Sequence, residues 1–209
     1  MFSLQTIFGK GDKFYGLLEQ SAEAARESAR ALHQMLADKA RAPVMADFTG
    51  ARAREKALAA QISEELVNTF VTALDREDIE ALNSALYKIP KTVEKFAERY
   101  SVVAERVVDV DFAQRARVLE ESASVVVEMI GELRRGLRID PVKKLQDRLQ
   151  ALESEGDRML LAPYRTLYVE GNDAMKAMLA KDLFELIEKA IDKCRDVGNI
   201  VYSIVLKHS

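Results

Sequence analysis

LLEQSA at residues 17–22 returns as VLEESA at 118–123, 101 positions later in a chain of 209 residues. A near-repeat at half the chain length constrains the fold more than any other feature. It requires two copies of one structural unit, and it gives each residue in one half a counterpart in the other.

Six segments carry helical periodicity. The first spans about 12–38, with Leu18, Ala22, Ala25, Leu32 and Leu36 on one face, and the second covers about 51–72 after a looser stretch holding Pro43, Asp47, Thr49 and Gly50. Asp75 is placed to cap a third helix reaching about Val102. The pattern restarts near 111. A fourth helix (about 111–137) carries Leu119, Ala123, Val126, Ile130, Leu133 and Leu137, and Asp140-Pro141 opens a fifth that continues to about 168. Gly171-Asn172-Asp173 precedes a sixth, whose Phe184, Ile187, Ile191, Cys194, Gly198, Val201 and Val205 follow steps of three and four. Pro90 and Pro163 lie inside predicted helices and should kink or break them. With 9 Gly, 4 Pro and no Trp, no strand pattern competes. The expected fold is all-α: one domain over 1–209, built as a three-helix unit (12–102) followed by another (111–207).

Lys and Arg number 31 against 34 Asp and Glu, a net charge of −3 with the signs interspersed, which gives no footprint for nucleic acid. The single Cys194 excludes an internal disulfide and fits a reducing compartment. No stretch reads as a bilayer span or a secretory signal, so a cytoplasmic protein is expected.

Acidic residues recur at one-turn spacing in the second half. Glu153 and Asp157 are four apart on the fifth helix, and Glu188, Asp192 and Asp196 continue that spacing on the sixth. Such residues share a helix face, so two adjacent helices can offer several carboxylates to one cation. Crowded carboxylates also repel, which favours a bound cation or a retained proton. Spacing alone says little, because chance supplies about five acidic pairs at this interval in such a composition.

Three stretches carry a family resemblance: TFVTALDREDIEAL (69–82), LESEGDR (152–158) and LIEKAIDKCRDVGNIVYSIVLK (186–207). In them the chain resembles PhoU and the divergent PhoU-like proteins that accompany Pit-type phosphate transporters. The resemblance implies a pair of three-helix bundles and metal held on the bundle surface by E(D)-x-x-x-D motifs. Carried onto this sequence, the ligands fall on Glu153, Asp157, Glu188, Asp192 and Asp196, for Fe, Zn, Mn or Mg.

The first half departs from that pattern. Arg52 and Lys56 stand opposite Glu153 and Asp157, while Tyr87, Lys91 and Lys95 stand opposite Glu188, Asp192 and Asp196. Cationic side chains donate hydrogen bonds and cannot ligate a metal ion, so at most one metal site is expected. The basic set Arg52, Lys56, Lys91 and Lys95 instead suits a small anion or an acidic partner surface.

No Glu-x-x-His pair, zinc motif or Gly-rich phosphate loop is present. The expected function is a non-enzymatic regulator or accessory of phosphate transport. Its partner would be a Pit-type transporter or a phosphate-signalling protein, through which alone it would touch the inner face of the membrane. A homo-oligomer is left open. The alternatives are a metal-free helical adaptor for protein–protein interaction and, more remotely, a metal-dependent hydrolase or oxidase.

Overall fold

The computed structural model describes residues 4–38, 44–167 and 173–208, with side chains over 13–38, 44–159 and 173–208. Six long helices follow one another: α1 Leu4–Ala37, α2 Met45–Asn68, α3 Arg76–Val103, α4 Ala113–Arg134, α5 Ile139–Leu167 and α6 Ala174–Lys207. A short 3₁₀ turn, Ala104–Arg106, joins the two halves. Among the described residues there is no strand.

The repeat is written in the burial pattern. Leu18, Ala22, Ala25, Ala29 and Leu32 of α1 are fully buried, and their counterparts Leu119, Ala123, Val126, Ile130 and Leu133 are buried in α4. Ile79, Leu82, Leu86, Ile89 and Val93 of α3 likewise match Ala180, Leu183, Ile187, Ala190 and Cys194 of α6. On α2, Phe48 and Glu55 are buried opposite Leu149 and Gly156 of α5. One offset of 101 therefore holds for all three helix pairs.

The broadest interfaces run between the halves, α1 against α4 and α3 against α6, and one continuous apolar core results. Each fully buried Leu or Ile in it contributes about 1.5–3 kcal/mol of transfer free energy. Both pairs are antiparallel: Arg134 reaches Glu19 at 2.9 Å while Arg30 reaches Glu120 at 3.0 Å, and Lys207 of α6 meets Asp78 near the start of α3 at 2.7 Å. Antiparallel packing of equivalent helices is what a pseudo-twofold axis between repeats produces. Helix α2 flanks α1 and α3, and α5 flanks α4 and α6. One side of the molecule thus presents the helices in the order α2, α3, α6, α5.

Several local expectations change. Helix α2 begins at Met45, because Asp47 suits a helix start and Gly50 sits in open space where helical backbone meets no obstacle. It ends at Asn68, with Thr69 extended. Helix α4 stops at Arg134, three residues early, where Gly136 (φ 112°) and Leu137 (φ 54°) adopt left-handed backbone. Pro90 does not break α3; it is buried in a helix continuous across it, and tertiary packing outweighs one missing N–H donor. Helix α5 likewise continues through position 163. Asp75 precedes α3 as expected, but its side chain makes no capping bond, whereas Asp173 caps α6 through the N–H groups of Met175 and Lys176. The Gly171-Asn172 turn and Pro43 lie outside the described residues.

Candidate functional site

The candidate residues occupy two equivalent grooves, one between α2 and α3 and one between α5 and α6. In the second, the fold brings four of the five predicted carboxylates together. Glu188 is pushed up to about 7, first by burial and then by Asp192, Asp157 and Glu153, with Asp192 also hydrogen-bonded to it. The fifth, Asp196, turns instead to Lys193, which donates to it at 2.7 Å. Cys194, on the seam beneath, is fully buried, and burial holds its thiol well above the ordinary range.

A cation is already built into this groove. Arg195 donates to Glu153 across the α5–α6 interface, and its second guanidinium nitrogen lies 3.5 Å from Asp192. Glu153 is only 13 % exposed, so this pair is screened less than one on open surface. Among the described residues, no three carboxylate, thiol or imidazole groups converge in a way that could hold a metal ion. With Arg195 engaging two of the four acids and Asp196 directed elsewhere, the arrangement does not fit a resident ion.

The first groove repeats this geometry with the charges exchanged. Arg52, opposite Glu153, lies 3.7 Å from Glu94, and Glu94 is the counterpart of Arg195. Both halves therefore tie their second and third helices with an ion pair at the same two positions, in opposite polarity. Arg52 also covers the Tyr87 ring, its guanidinium carbon 3.9 Å from the centroid, and Lys91 stands at 6.0 Å. The Tyr87 hydroxyl is held below its ordinary pKa, foremost by a hydrogen bond from Arg52, then by the charges of Arg52, Lys91 and Lys56. Lys95 is exposed on the same helix but is not among the groups acting on Tyr87.

Beneath the first groove lies Glu55, fully buried. It accepts a hydrogen bond from Ser21 of α1 at 2.6 Å, while its other oxygen has no partner. Burial pushes its carboxyl up to about 7. Its counterpart is Gly156, where an added Cβ would meet Ile191 at 3.1 Å; opposite Ile191 in the first half stands Pro90. In the second half a glycine on α5 thus faces a large residue on α6, while the equivalent positions of the first half carry Glu55 on α2 and Pro90 on α3.

Sequence reasoning missed Glu94, Arg195 and Glu55. The first two were within its reach: the subtraction that sets Arg52 against Glu153 also sets Glu94 against Arg195. Glu55 was within reach as well: Phe48, Leu58, Ile62 and Leu66 stand at helical steps that put position 55 on the buried stripe of α2.

No family model matches the chain. The UPF0111 protein YkaA of Bacillus subtilis (strain 168) is 22% identical over 149 residues, covering 70% of this chain and 71% of that protein. Among solved structures, a PhoU-like protein from Shewanella oneidensis MR-1 superposes with a TM-score of 0.81 at 16% identity, over 92% of this chain and 99% of its own. A second protein of that organism, named as a PhoU-like phosphate regulatory protein, gives 0.71 at 16% identity over 93% and 99%. At such identities the likeness establishes the fold: six helices in a PhoU-like arrangement.

Proposed function

We propose, from a PhoU-like fold that spans nearly the whole chain, that this protein is a non-enzymatic regulator or accessory of phosphate transport. The observation that carries the reading is the superposition over 92% and 93% of the chain on two PhoU-like structures, one of them named for phosphate regulation. A rigid bundle with charged grooves suits a protein that acts by binding, because it offers a fixed surface at little ordering cost. Its partner would be a Pit-type transporter or a phosphate-signalling protein. Among the described residues no helix is long and apolar enough to cross a membrane, so contact with the membrane would run through that partner.

The acidic groove enters this reading as a structural clasp in which Arg195 supplies the positive charge. Elemental mass spectrometry on untagged, chelator-free protein, beside a Glu188→Ala/Asp192→Ala variant, decides between this clasp and the Fe, Zn, Mn or Mg site that the resemblance implies. Stoichiometric metal in the wild type alone would refute the clasp.

The regulatory role is tested by deleting the gene and measuring phosphate uptake at limiting and at excess phosphate. Altered uptake, restored by the wild-type gene, supports it. Uptake indistinguishable from the parent in both conditions would sink it.

A further inference from the structure

The stretch TFVTALDREDIEAL (69–82) supplies no candidate residue to either groove; it forms the α2–α3 loop and opens α3. That loop is fastened from beneath. Thr69 and Leu74 are buried, and Arg76 caps the end of α2 by donating to the carbonyl oxygens of Leu66 and, at 2.7 Å, Thr69. The Thr72 hydroxyl donates to the Leu74 carbonyl at 2.6 Å, and Asp78 accepts from Lys207 of α6 at 2.7 Å. Between these anchors the largest side chain points outward: Phe70 is 100 % exposed, beside Val67 at 82 % and Val71 at 56 %. Burial in the bundle gives no reason for an aromatic at this position. On a loop already ordered it meets the needs of a binding anchor, because little conformational freedom remains to be lost. The tip is single, since Gly171 stands opposite Phe70 in the second half.

The charges around the tip narrow the partner. Lys13 is paired with Glu65, and Lys207 with Asp78. Glu64, one turn before Val67 on α2, and Glu77, in the first turn of α3, are exposed and make no ion pair among the described residues. Asp75 has only Lys207, at 4.0 Å. Against these three acids stands Arg76, so the apolar tip carries a net negative rim.

We propose that the Phe70 tip is the anchor by which this chain docks on the cytoplasmic face of a Pit-type transporter, entering an apolar pocket bordered by Lys and Arg. The choice of partner rests on the regulatory role proposed for the chain. Cytoplasmic loops of membrane proteins carry an excess of Lys and Arg, which complements the acidic rim. An anionic lipid surface would be repelled by that same rim.

The test is biolayer interferometry of the full chain on the Pit-type transporter of the source organism, purified in nanodiscs of zwitterionic lipid. Empty discs of zwitterionic and of anionic lipid are run beside it. Phe70→Ala should melt within about 2 °C of the wild type, because the side chain is fully exposed, yet bind the transporter discs at least about tenfold more weakly. Glu64→Lys/Glu77→Lys should also bind more weakly, with the loss greatest at low salt. Val102→Ala, at an 83 % exposed valine on the other end of α3, should bind as the wild type does.

Equal binding by Phe70→Ala and the wild type overturns the proposal and leaves the regulatory role standing. A wild type that binds empty discs as well as loaded ones puts lipid in the partner's place and overturns it too. So does a Phe70→Ala protein whose mass by light scattering differs from that of the wild type, which would put a second copy on the tip. A wild type that binds no disc also overturns it, and phosphate uptake in the deletion strain then decides separately whether the regulatory role survives.

Discussion

Glu55 offers the sharpest test of how the first half is held. Its carboxyl is fully buried, with one oxygen bonded to Ser21 and the other unpartnered, and its pKa rises from 4.5 to about 7. A raised carboxyl favours the folded state while it is protonated. That contribution is complete below 4.5, where the unfolded chain also holds the proton, and it is lost as pH rises through about 7. At about 1.4 kcal/mol per pH unit, the gap amounts to roughly 3 kcal/mol, undiminished by solvent because the group is buried. Glu55→Gln keeps the shape and an acceptor for Ser21 but cannot ionise. Denaturant unfolding of both proteins should therefore show a stability difference that moves by about 3 kcal/mol toward the variant between pH 4.5 and about pH 8. In melting temperature that is about 6–12 °C for a chain of this size. Glu188 titrates in the same window but is common to both proteins and cancels. A wild-type-minus-variant difference that stays constant across the window would show that Glu55 reaches water or a charge partner, and the reasoning would fail.

Arg195→Ala leaves Glu153 and Asp192 without their common partner in a groove that already crowds four acids. The variant should lose about 1–3 kcal/mol at neutral pH and regain part of it in millimolar Mn²⁺, with the wild type responding less. Equal responses in a thermal melt would refute the clasp. Two glycines should answer oppositely to alanine. At Gly131, inside α4, nothing lies within 4 Å of an added Cβ, so Gly131→Ala should stabilise by about 0.5–1 kcal/mol. At Gly198 the same atom would come to 2.5 Å from a Leu149 methyl and 2.7 Å from the Gln146 oxygen, so Gly198→Ala should destabilise by about 1–3 kcal/mol in denaturant unfolding.

How much of this was legible depends on the length scale of each signal. Helix existence and the repeat came through because apolar periodicity runs over several turns, and Leu119 through Leu133 is unambiguous on that scale. Boundaries depend on one or two residues. Gly136 ends α4 by backbone conformation, and the stripe that includes Leu137 cannot show that. Pro90 reads as a break only when packing is ignored. At the site, spacing placed Glu153, Asp157, Glu188 and Asp192 on neighbouring faces correctly. It could not show that Asp196 turns to Lys193, since a side chain one turn further along chooses among neighbours only the tertiary structure supplies. The Arg195 contact escaped because the spacing of acids along two helices carries no information about which cation lies between them.

The interfaces between the halves carry a consequence for where such a chain comes from. The core closes through α1 on α4 and α3 on α6, so a single three-helix half, cut from its twin, would expose the faces that those pairs now cover. An ancestor of half this length would have needed to pair with an identical molecule to fold. Identical molecules cannot differ at equivalent sites: an acid at position 153 would have meant an acid at 52. With both copies joined in one polypeptide, Arg52 and Glu94 can take one polarity while Glu153 and Arg195 take the other. The opposed grooves are thus a property that fusion made accessible, because joining the copies let each side of a once symmetric object mutate alone.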